Sequence, residues 1–174
     1  MALLNVLVAP DPRLKVKAKH VDAVDDQVRR LMDDMLETMY AAPGIGLAAP
    51  QVGDPRRIVV IDVAHDEEPK QPLRMANPEI LWRSEDETTY NEGCLSLPEH
   101  YADVTRPKEI RVRYLDHQNE IRELHAEGLL ATVIQHEMDH LQGILFVDHI
   151  SPLKRSIILR KLAKTKRTKV LEPV

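Results

Sequence analysis

A chain of 174 residues is long enough to form one domain around one hydrophobic core, and its 43% apolar and 30% charged residues are typical of a water-soluble globular protein. No apolar run approaches the roughly 20 residues that a membrane-spanning helix requires, which argues against a membrane protein. A single cysteine, Cys94, excludes an internal disulfide framework and is typical of a reducing cytoplasm.

The first predicted elements are a strand and a helix. The apolar start MALLNVLVA has neither a basic leader nor a cleavage site, so it predicts a first strand rather than a signal peptide. From Asp25 to Tyr40 the apolar residues recur at helical spacing. Asp25 or Asp26 is a suitable N-cap for this helix, and Pro43-Gly44 ends it.

The middle of the chain predicts strands, and its last third predicts two helices. A buried strand over 57–63 and a charged surface loop over 64–72 precede short strands near 75–83, 86–91, 102–106, 109–115 and 120–125. Helices are predicted over 129–141 and from about 152 to 166, the last with Ser151 as its N-cap. Because strands and helices do not alternate, we predict an α+β fold with mostly antiparallel strands packed around the 129–141 helix.

The net charge of −4 is distributed unevenly. Residues 151–174 contain eight Lys or Arg residues and one acid, Glu172, a net charge of +7, so residues 1–150 carry −11. A basic tail on an acidic body indicates an anionic partner for the tail. A solvated helix end with lysines on its outer face explains the same pattern equally well.

The central motif is His136-Glu137-Met138-Asp139-His140. Residues four apart share one face of a helix, so both imidazoles can bind one metal ion. Glu137 lies about 100° further round the helix, where it can contact a water rather than act as a third ligand. The alternatives are an exposed polar stripe and a His–Glu hydrogen-bond network.

A hydrolytic metal site needs a third protein ligand. In one class of metalloproteases a third histidine follows the motif, but Phe146 occupies that position here, and the only glutamate after the motif is Glu172. The third ligand is therefore expected upstream, where Cys94 is the best candidate because a thiolate suits Fe(II), Zn or Co. Cys94 could instead be a small buried apolar residue, the usual role of a lone cysteine.

Three segments, in this order, resemble the peptide deformylase family, and the resemblance covers about Val6 to Lys166. The segments are Gly44-Ile45-Gly46-Leu47-Ala48-Ala49-Pro50-Gln51, Glu92-Gly93-Cys94-Leu95-Ser96-Leu97-Pro98 and Gln135-His136-Glu137-Met138-Asp139-His140-Leu141. The resemblance implies a metal-dependent hydrolase that removes the N-formyl group from the formyl-methionine of newly made polypeptides and releases formate.

The same resemblance implies roles for individual residues. Cys94, His136 and His140 would hold one divalent ion per chain, Fe(2+) natively, with Zn, Ni or Co as possible substitutes. Glu137 would be the general base, and the Gln51 amide and the Leu95 backbone N–H would stabilise the oxyanion. Gly44-Ile45-Gly46, otherwise a turn after the first helix, would be the edge on which the peptide lies. Helical spacing makes three residues before His136 candidates for the methionine pocket: Leu129, Thr132 and Val133, with Ile45 opposite.

Further expectations concern the partners of the protein. We expect a catalytic deformylase-like domain over 1–150 and a basic helix and tail over 151–174, which by resemblance would dock on the ribosome in the cytoplasm, with no membrane or DNA partner. Many members of the family have an arginine shortly after the cysteine motif, where this chain has Glu99-His100-Tyr101. Two other functions fit the motif: a metallopeptidase that cuts internal peptide bonds, and a structural metal domain that binds ribosomal RNA.

Overall fold

A computed structural model describes the backbone of residues 2–171 and the side chains of residues 2–165; the predicted tail beyond 171, including Glu172, lies outside the described residues. The first helix, α1, spans Asp26–Ala41, and the Asp25 carboxylate caps it by accepting a hydrogen bond from the Val28 N–H at 2.9 Å. Its buried face consists mainly of methionine and leucine side chains. The predicted helix and its cap are confirmed.

Five strands form one antiparallel sheet, in the order β1-β2-β3-β6-β7. These strands are β1 (Gly46–Ala48), β2 (Ile58–Ile61), β3 (Leu73–Arg83), β6 (Glu109–Leu115) and β7 (Ile121–Glu127). The remaining two strands, β4 (Glu87–Cys94) and β5 (Leu97–Pro107), form a separate antiparallel hairpin. All the strands predicted after residue 56 are present within a few residues of their expected positions, and the loop between β2 and β3 is where the charged segment predicts it.

The helix α2 spans Gly128–His140 and contacts strands of both sheets. Gly128 has a φ of +62°, in the left-handed region that glycine adopts without steric cost. This conformation turns the chain directly from β7 into α2. The last helix, α3, spans Pro152–Leu171, with the Ser151 hydroxyl accepting from the Lys154 N–H at 3.3 Å. It is longer than predicted. The α+β fold with antiparallel strands is confirmed.

The N-terminal segment differs from the sequence expectation. Residues 2–9 form no strand, so the predicted first strand is wrong. Two isolated backbone hydrogen bonds tie the segment down, from Leu7 N to Gln51 O at 2.7 Å and from Ala9 N to Ser96 O at 2.8 Å. The two acceptors belong to different elements, so no ladder forms, and the side chains of Leu7 and Ala9 are buried in the core instead.

The strand β1 was not predicted, because three residues beginning with glycine carry no strand pattern. It pairs only with β2, and its other edge is therefore free of backbone partners within the described part of the chain. None of the described helices has both the length and the apolar character needed to cross a membrane.

Candidate active site

Helix α2 carries three titratable side chains into the interior. His136, Glu137 and His140 are 8%, 3% and 1% exposed. Their position follows from the helical repeat, since the two histidines lie one turn apart on the face that meets the β4–β5 hairpin. Burial of such groups is costly unless each has a partner, so their partners indicate what the site is built to hold.

The hairpin supplies a thiol to the two imidazoles. Cys94 ends β4, and its Sγ lies 3.3 Å from His140 Nε2. One ligand atom each from Cys94, His136 and His140 lie within 4.8 Å of one another. Ligand atoms that bind one tetrahedral ion, each about 2.0–2.3 Å from it, must also lie this close to one another. The structure therefore brings together the three ligand candidates that the sequence indicated.

Glu92 orients one of these imidazoles. Its Oε1 is 2.9 Å from His136 Nδ1, and alternation along β4 places it on the same face as Cys94. A carboxylate that accepts from Nδ1–H leaves the Nε2 lone pair for a metal ion. Glu92 was not among the predicted site residues, although its position two residues before Cys94 in a strand was a usable signal.

A buried arginine holds Glu92 in place. Arg106, on β5, binds both Glu92 oxygens, at 2.7 and 2.9 Å, and binds Asp139 at 2.8 Å. Asp139 in turn accepts from the ring of His149 at 2.8 Å. Arg106 is thus an ion-pair partner of Asp139 as well as of Glu92. The network links β4, β5 and α2 behind the candidate metal ligands.

The protonation of the site favours a cation among the ligands. Burial opposes the charge on His136, but hydrogen bonds with Cys94 and Glu92 outweigh it and hold the pKa of His136 well above its usual value. Burial and the neighbouring His136 depress the pKa of His140 well below its usual value. Cys94 and Glu92 thus stabilise a positive charge on His136. In the metal-bound protein the metal ion would carry this positive charge instead. His140 is already in the neutral form that binds metals.

Glu137 has the properties of a general base. Burial raises its pKa to about 7, and its Oε2 has no hydrogen-bond partner among the described residues. Its Oε1 lies 3.7 Å from His136 Nε2. A carboxylate whose pKa is near neutrality can both accept and return a proton at physiological pH.

Gln51 lies behind the cysteine with its amide orientation fixed. Its Oε1 accepts from the Ala48 N–H at 2.9 Å, and its Nε2 donates to Ser96 Oγ at 3.0 Å. The same Nε2 lies 3.5 Å from Cys94 Sγ, so one amide N–H is directed at a candidate metal ligand while the other is donated to Ser96. Leu95 occupies the two-residue turn between β4 and β5, directly after Cys94.

A cavity of about 650 Å³ opens beside these groups, between β1, the hairpin and α2. Most of the predicted site residues line it: Gly44, Ile45, Gly46, Cys94, Leu95, Leu129, Thr132, Val133, His136 and Glu137. The other two, Gln51 and His140, are 1% exposed and lie outside its lining. The cavity is therefore bordered by the free edge of β1 on one side and by the catalytic candidates on the other.

Two glycines allow close packing around this cavity. A Cβ on Gly46 would lie 3.0 Å from both Glu137 Cγ and Val133 Cγ1, so any other residue there would require these side chains to shift by a few tenths of an ångström. A Cβ on Gly93 would lie 2.5 Å from Cε1 of Tyr101, whose ring covers that glycine at the cavity rim. The tyrosine thus lies on the rim next to Glu99-His100.

Comparison with known proteins assigns the chain to a family. The family model described as polypeptide deformylase matches residues 3–156. The chain belongs to the polypeptide deformylase family. The peptide deformylase of Phenylobacterium zucineum is 57% identical over 164 residues, covering 94% of this chain and 97% of the relative. That of Methylocella silvestris is 53% identical over 176 residues, covering 99% and 90%.

Solved structures agree with this assignment. A crystal structure of the peptide deformylase of Ehrlichia chaffeensis superimposes with a TM-score of 0.93 at 37% identity, covering 98% of this chain and 100% of that one. The chain is thus a deformylase, a metal-dependent hydrolase that removes the N-formyl group from newly made polypeptides.

Proposed function

We propose that this deformylase removes the formyl group of N-terminal formyl-methionine and releases formate, with Cys94, His136 and His140 as metal ligands and Glu137 as the general base. The observation that carries the assignment is the buried Glu137 carboxylate, whose unpartnered Oε2 lies beside three mutually close ligand atoms in a cavity. A purely structural metal site would have no need of such a carboxylate.

A divalent ion held by these three residues would supply Lewis acidity, which would lower the pKa of water towards neutrality. Glu137 takes the proton from the attacking water as the new carbon–oxygen bond forms at the formyl carbon. When the carbon–nitrogen bond breaks, Glu137 returns this proton to the departing methionine amine. One carboxylate with a pKa of about 7 performs both transfers.

Charge develops on the formyl oxygen as water adds, and two donors of the chain are proposed to stabilise it. The Gln51 amide is held by Ala48 and Ser96, so it loses little freedom when it donates. The Leu95 backbone N–H is the second proposed donor, in the turn after Cys94. Loss of one donor of this kind typically slows catalysis by about 10²–10³-fold.

The polypeptide is proposed to lie along the free edge of β1. Backbone groups of Gly44-Ile45-Gly46 would pair with the peptide in the manner of an added strand. The methionine side chain would then enter the cavity between Ile45 and the α2 residues Leu129, Thr132 and Val133. The Ile45 carbonyl accepts from the Asp62 N–H at 2.9 Å, which anchors this edge to the sheet.

The test is formate release from a formyl-methionyl peptide by the metal-loaded protein. Glu137→Ala is expected to abolish release while keeping stoichiometric metal, and Glu123→Ala, which removes an exposed carboxylate on β7, is expected to keep full activity. Absence of formate release by the unaltered protein would contradict the proposal. Cleavage of unformylated peptides would favour the metallopeptidase alternative, although among the described residues none downstream of the motif joins the cluster of candidate ligands.

The native ion is proposed to be Fe(2+). A thiolate with two imidazoles accepts Fe(2+), Zn, Ni or Co, and affinity rises from iron towards zinc, so supply rather than preference determines occupancy. Metal analysis after anaerobic purification is expected to find iron, with activity lost on exposure to air as Cys94 oxidises. Zinc in the anaerobic preparation with full activity would contradict this assignment.

The body 1–150 is proposed as the catalytic domain and the segment 151–174 as a ribosome-docking element in the cytoplasm. The outward side of α3 is basic, and it also exposes two apolar side chains, Leu153 at 72% and Ile157 at 42%. Basic groups with an apolar strip suit a ribosomal surface, where protein lies next to RNA phosphates.

Docking is tested by co-sedimentation with ribosomes at two salt concentrations. A double variant of exposed residues on α3, Lys161→Glu with Lys164→Glu, is expected to weaken binding, whereas the same charge change at Arg30 and Arg83 is expected to have no effect. Equal loss in both double variants would indicate only nonspecific attraction. Activity on a short peptide is expected to stay unchanged in the α3 variant.

A further inference from the structure

The hydrogen-bond network around Arg106 continues beyond Asp139 to a residue at the surface. Asp139 Oδ2 accepts two hydrogen bonds, from Arg106 Nη1 at 2.8 Å and from the ring of His149 at 2.8 Å. Because an ionised carboxylate can only accept, the ring Nε2 carries the proton in this contact. Side-chain exposure rises along the network, from 5% at Glu92 to 22% at Asp139 and 37% at His149. His149 is therefore the outer end of a chain of contacts that begins at a candidate metal ligand.

The turn that carries His149 also contacts the metal site from a second direction. This 3₁₀ turn spans Phe146–His149 and connects α2 with α3. At its first residue, the buried ring of Phe146 stacks on His136, with 6.2 Å between the ring centroids and 26° between the planes. At its last residue, His149 is bonded to Asp139. One short turn thus packs directly on a candidate ligand and reaches the same ligand through the network.

The links between His149 and His136 are short. Arg106 binds both oxygens of Glu92, at 2.7 and 2.9 Å, and Glu92 Oε1 lies 2.9 Å from His136 Nδ1. A planar guanidinium that binds two carboxylates couples their orientations, because its N–H groups form a rigid fork. Without His149, the Asp139 carboxylate would be held by Arg106 alone among the described residues, and it could rotate. The guanidinium, and the Glu92 carboxylate that it orients, would then lose a fixed partner.

We infer that His149 is a positioning residue for the metal site. By donating to Asp139, it holds the network that orients the His136 ring, and it thereby increases the affinity of the site for its ion. The inference rests on the metal ligands of the proposed function. Loss of a residue that contacts a metal ligand typically weakens metal affinity or activity by about 10–100-fold. His149 acts on His136 through other side chains, so we expect a smaller effect, about 3- to 10-fold in the dissociation constant of the ion.

His149 lies outside the cavity in which the substrate is proposed to bind. It lines a second cavity of about 430 Å³ together with Arg106 and Asp139, and none of the described residues lines both cavities. Replacement of His149 is therefore expected to change metal affinity and to leave the KM of the metal-saturated enzyme unchanged. A purely structural role would change the stability of the protein without changing the metal affinity of the folded form.

The experiment measures the affinity of the folded protein for Co(2+) by competition with a chelator, together with the visible absorption of the bound ion. His149→Leu removes the donor and is expected to weaken Co(2+) binding by about 3- to 10-fold and to shift the absorption bands, which report ligand geometry. His149→Gln keeps an N–H donor at a similar reach and is expected to stay within about twofold of the unaltered protein.

The matched control is His125→Leu. The ring of His125, on β7, is 47% exposed and lies 3.1 Å from the Glu109 carboxylate, so it makes the same kind of contact outside the network. Its replacement should leave the Co(2+) affinity and the absorption bands unchanged.

The outcomes separate the inference from the proposed function. Unchanged or tighter Co(2+) binding by His149→Leu overturns the inference. Equal losses in His149→Leu and His149→Gln also overturn it, because the effect would then not come from the N–H donor. If His149→Leu does not fold, His149→Ala removes the same donor, and unchanged affinity there overturns the inference equally. Unaltered protein that binds Co(2+) but releases no formate from a formyl-methionyl peptide overturns the proposed function instead, and the measured affinities still decide the role of His149.

Discussion

Replacement of Glu92 by glutamine removes one charge from the network behind the candidate metal ligands. In the structure Glu92 accepts two hydrogen bonds from Arg106 and lies 2.9 Å from His136 Nδ1, with both side chains of the Glu92–Arg106 pair about 5% exposed. A glutamine keeps the shape but can accept through only one oxygen. Its NH₂ group would then face either the guanidinium or the imidazole N–H.

The expected loss follows from burial. Breaking a buried ion pair by neutralising one partner costs about 3–5 kcal/mol, because the other charge stays buried. Asp139 still neutralises part of the charge on Arg106, so we expect the lower value, about 3 kcal/mol in the free energy of unfolding. Loss of the carboxylate that orients a metal-binding histidine also typically weakens metal affinity or activity by about 10–100-fold.

The pH dependence gives an independent check. Burial opposes ionisation of Glu92, but hydrogen bonds from His136 and Arg106 outweigh it and hold the pKa of Glu92 below its ordinary value. A lowered pKa contributes stability above the unfolded value of about 4.3, and this contribution is lost as the pH falls through the folded value. The difference between the unaltered protein and Glu92→Gln should therefore shrink below about pH 4.

Urea unfolding followed by circular dichroism, on metal-free protein at pH 7 and in acid, measures both effects. The matched control is Glu123→Gln, which neutralises the exposed partner of Arg113 in a pair at 2.9 Å. Exposed pairs contribute about 0–1 kcal/mol, so the control should unfold almost like the unaltered protein. Equal midpoints for the two variants at pH 7 would refute the reasoning about the buried network.

Three further predictions concern the cavity. Thr132→Val removes a buried hydroxyl that has no hydrogen-bond partner among the described residues, so the free energy of unfolding should rise by about 1 kcal/mol. Urea titration of the ligand-free protein measures this change. A loss of stability would show that the hydroxyl has a partner. Burial raises the pKa of Glu137 from 4.5 to about 7, so the charged carboxylate destabilises the metal-free protein only as the pH rises through that range. Glu137→Gln removes this charge. It should therefore raise the free energy of unfolding of the metal-free protein by up to about 3 kcal/mol at pH 8 but little at pH 4. A gain of equal size at both pH values would exclude this cause. Gly46→Ala places a methyl group against Glu137 and Val133 and should lower kcat/KM about tenfold or more by moving the base, whereas full activity would show that α2 can yield without consequence.

Much of the candidate site could be predicted because its parts are local in the chain. The four-residue spacing of His136 and His140 defines a shared helical face wherever the helix lies, and the apolar pattern of residues 129–141 predicts that helix. Exclusion of downstream ligands indicated Cys94, and the motif resemblance supported it and added Gln51 and Leu95. The helix caps at Asp25 and Ser151 were also predicted, because a cap depends only on neighbouring residues.

Other features depend on contacts between distant residues. The approach of Cys94 to His140 joins residues 46 apart in sequence, and the contact of Glu92 with His136 joins residues 44 apart. Spacing along the chain cannot predict which way the side chains of a hairpin point or which arginine will contact them. The role of Glu92 and the pairing of β1 with β2 alone were therefore visible only in the assembled structure, although the resemblance had already implied an edge at Gly44-Ile45-Gly46.

By itself the sequence determined the kinds of groups at the site: two imidazoles on one helical face, a carboxylate beside them, and a thiol upstream. The tertiary structure decided their states. Burial brought the pKa of Glu137 to about 7, the contact with Glu92 selected the histidine atom available to a metal, and packing left the Thr132 hydroxyl without a partner. The physical reason is that residue type determines which charges and donors exist, whereas the distance to water and to the nearest partner determines their energy.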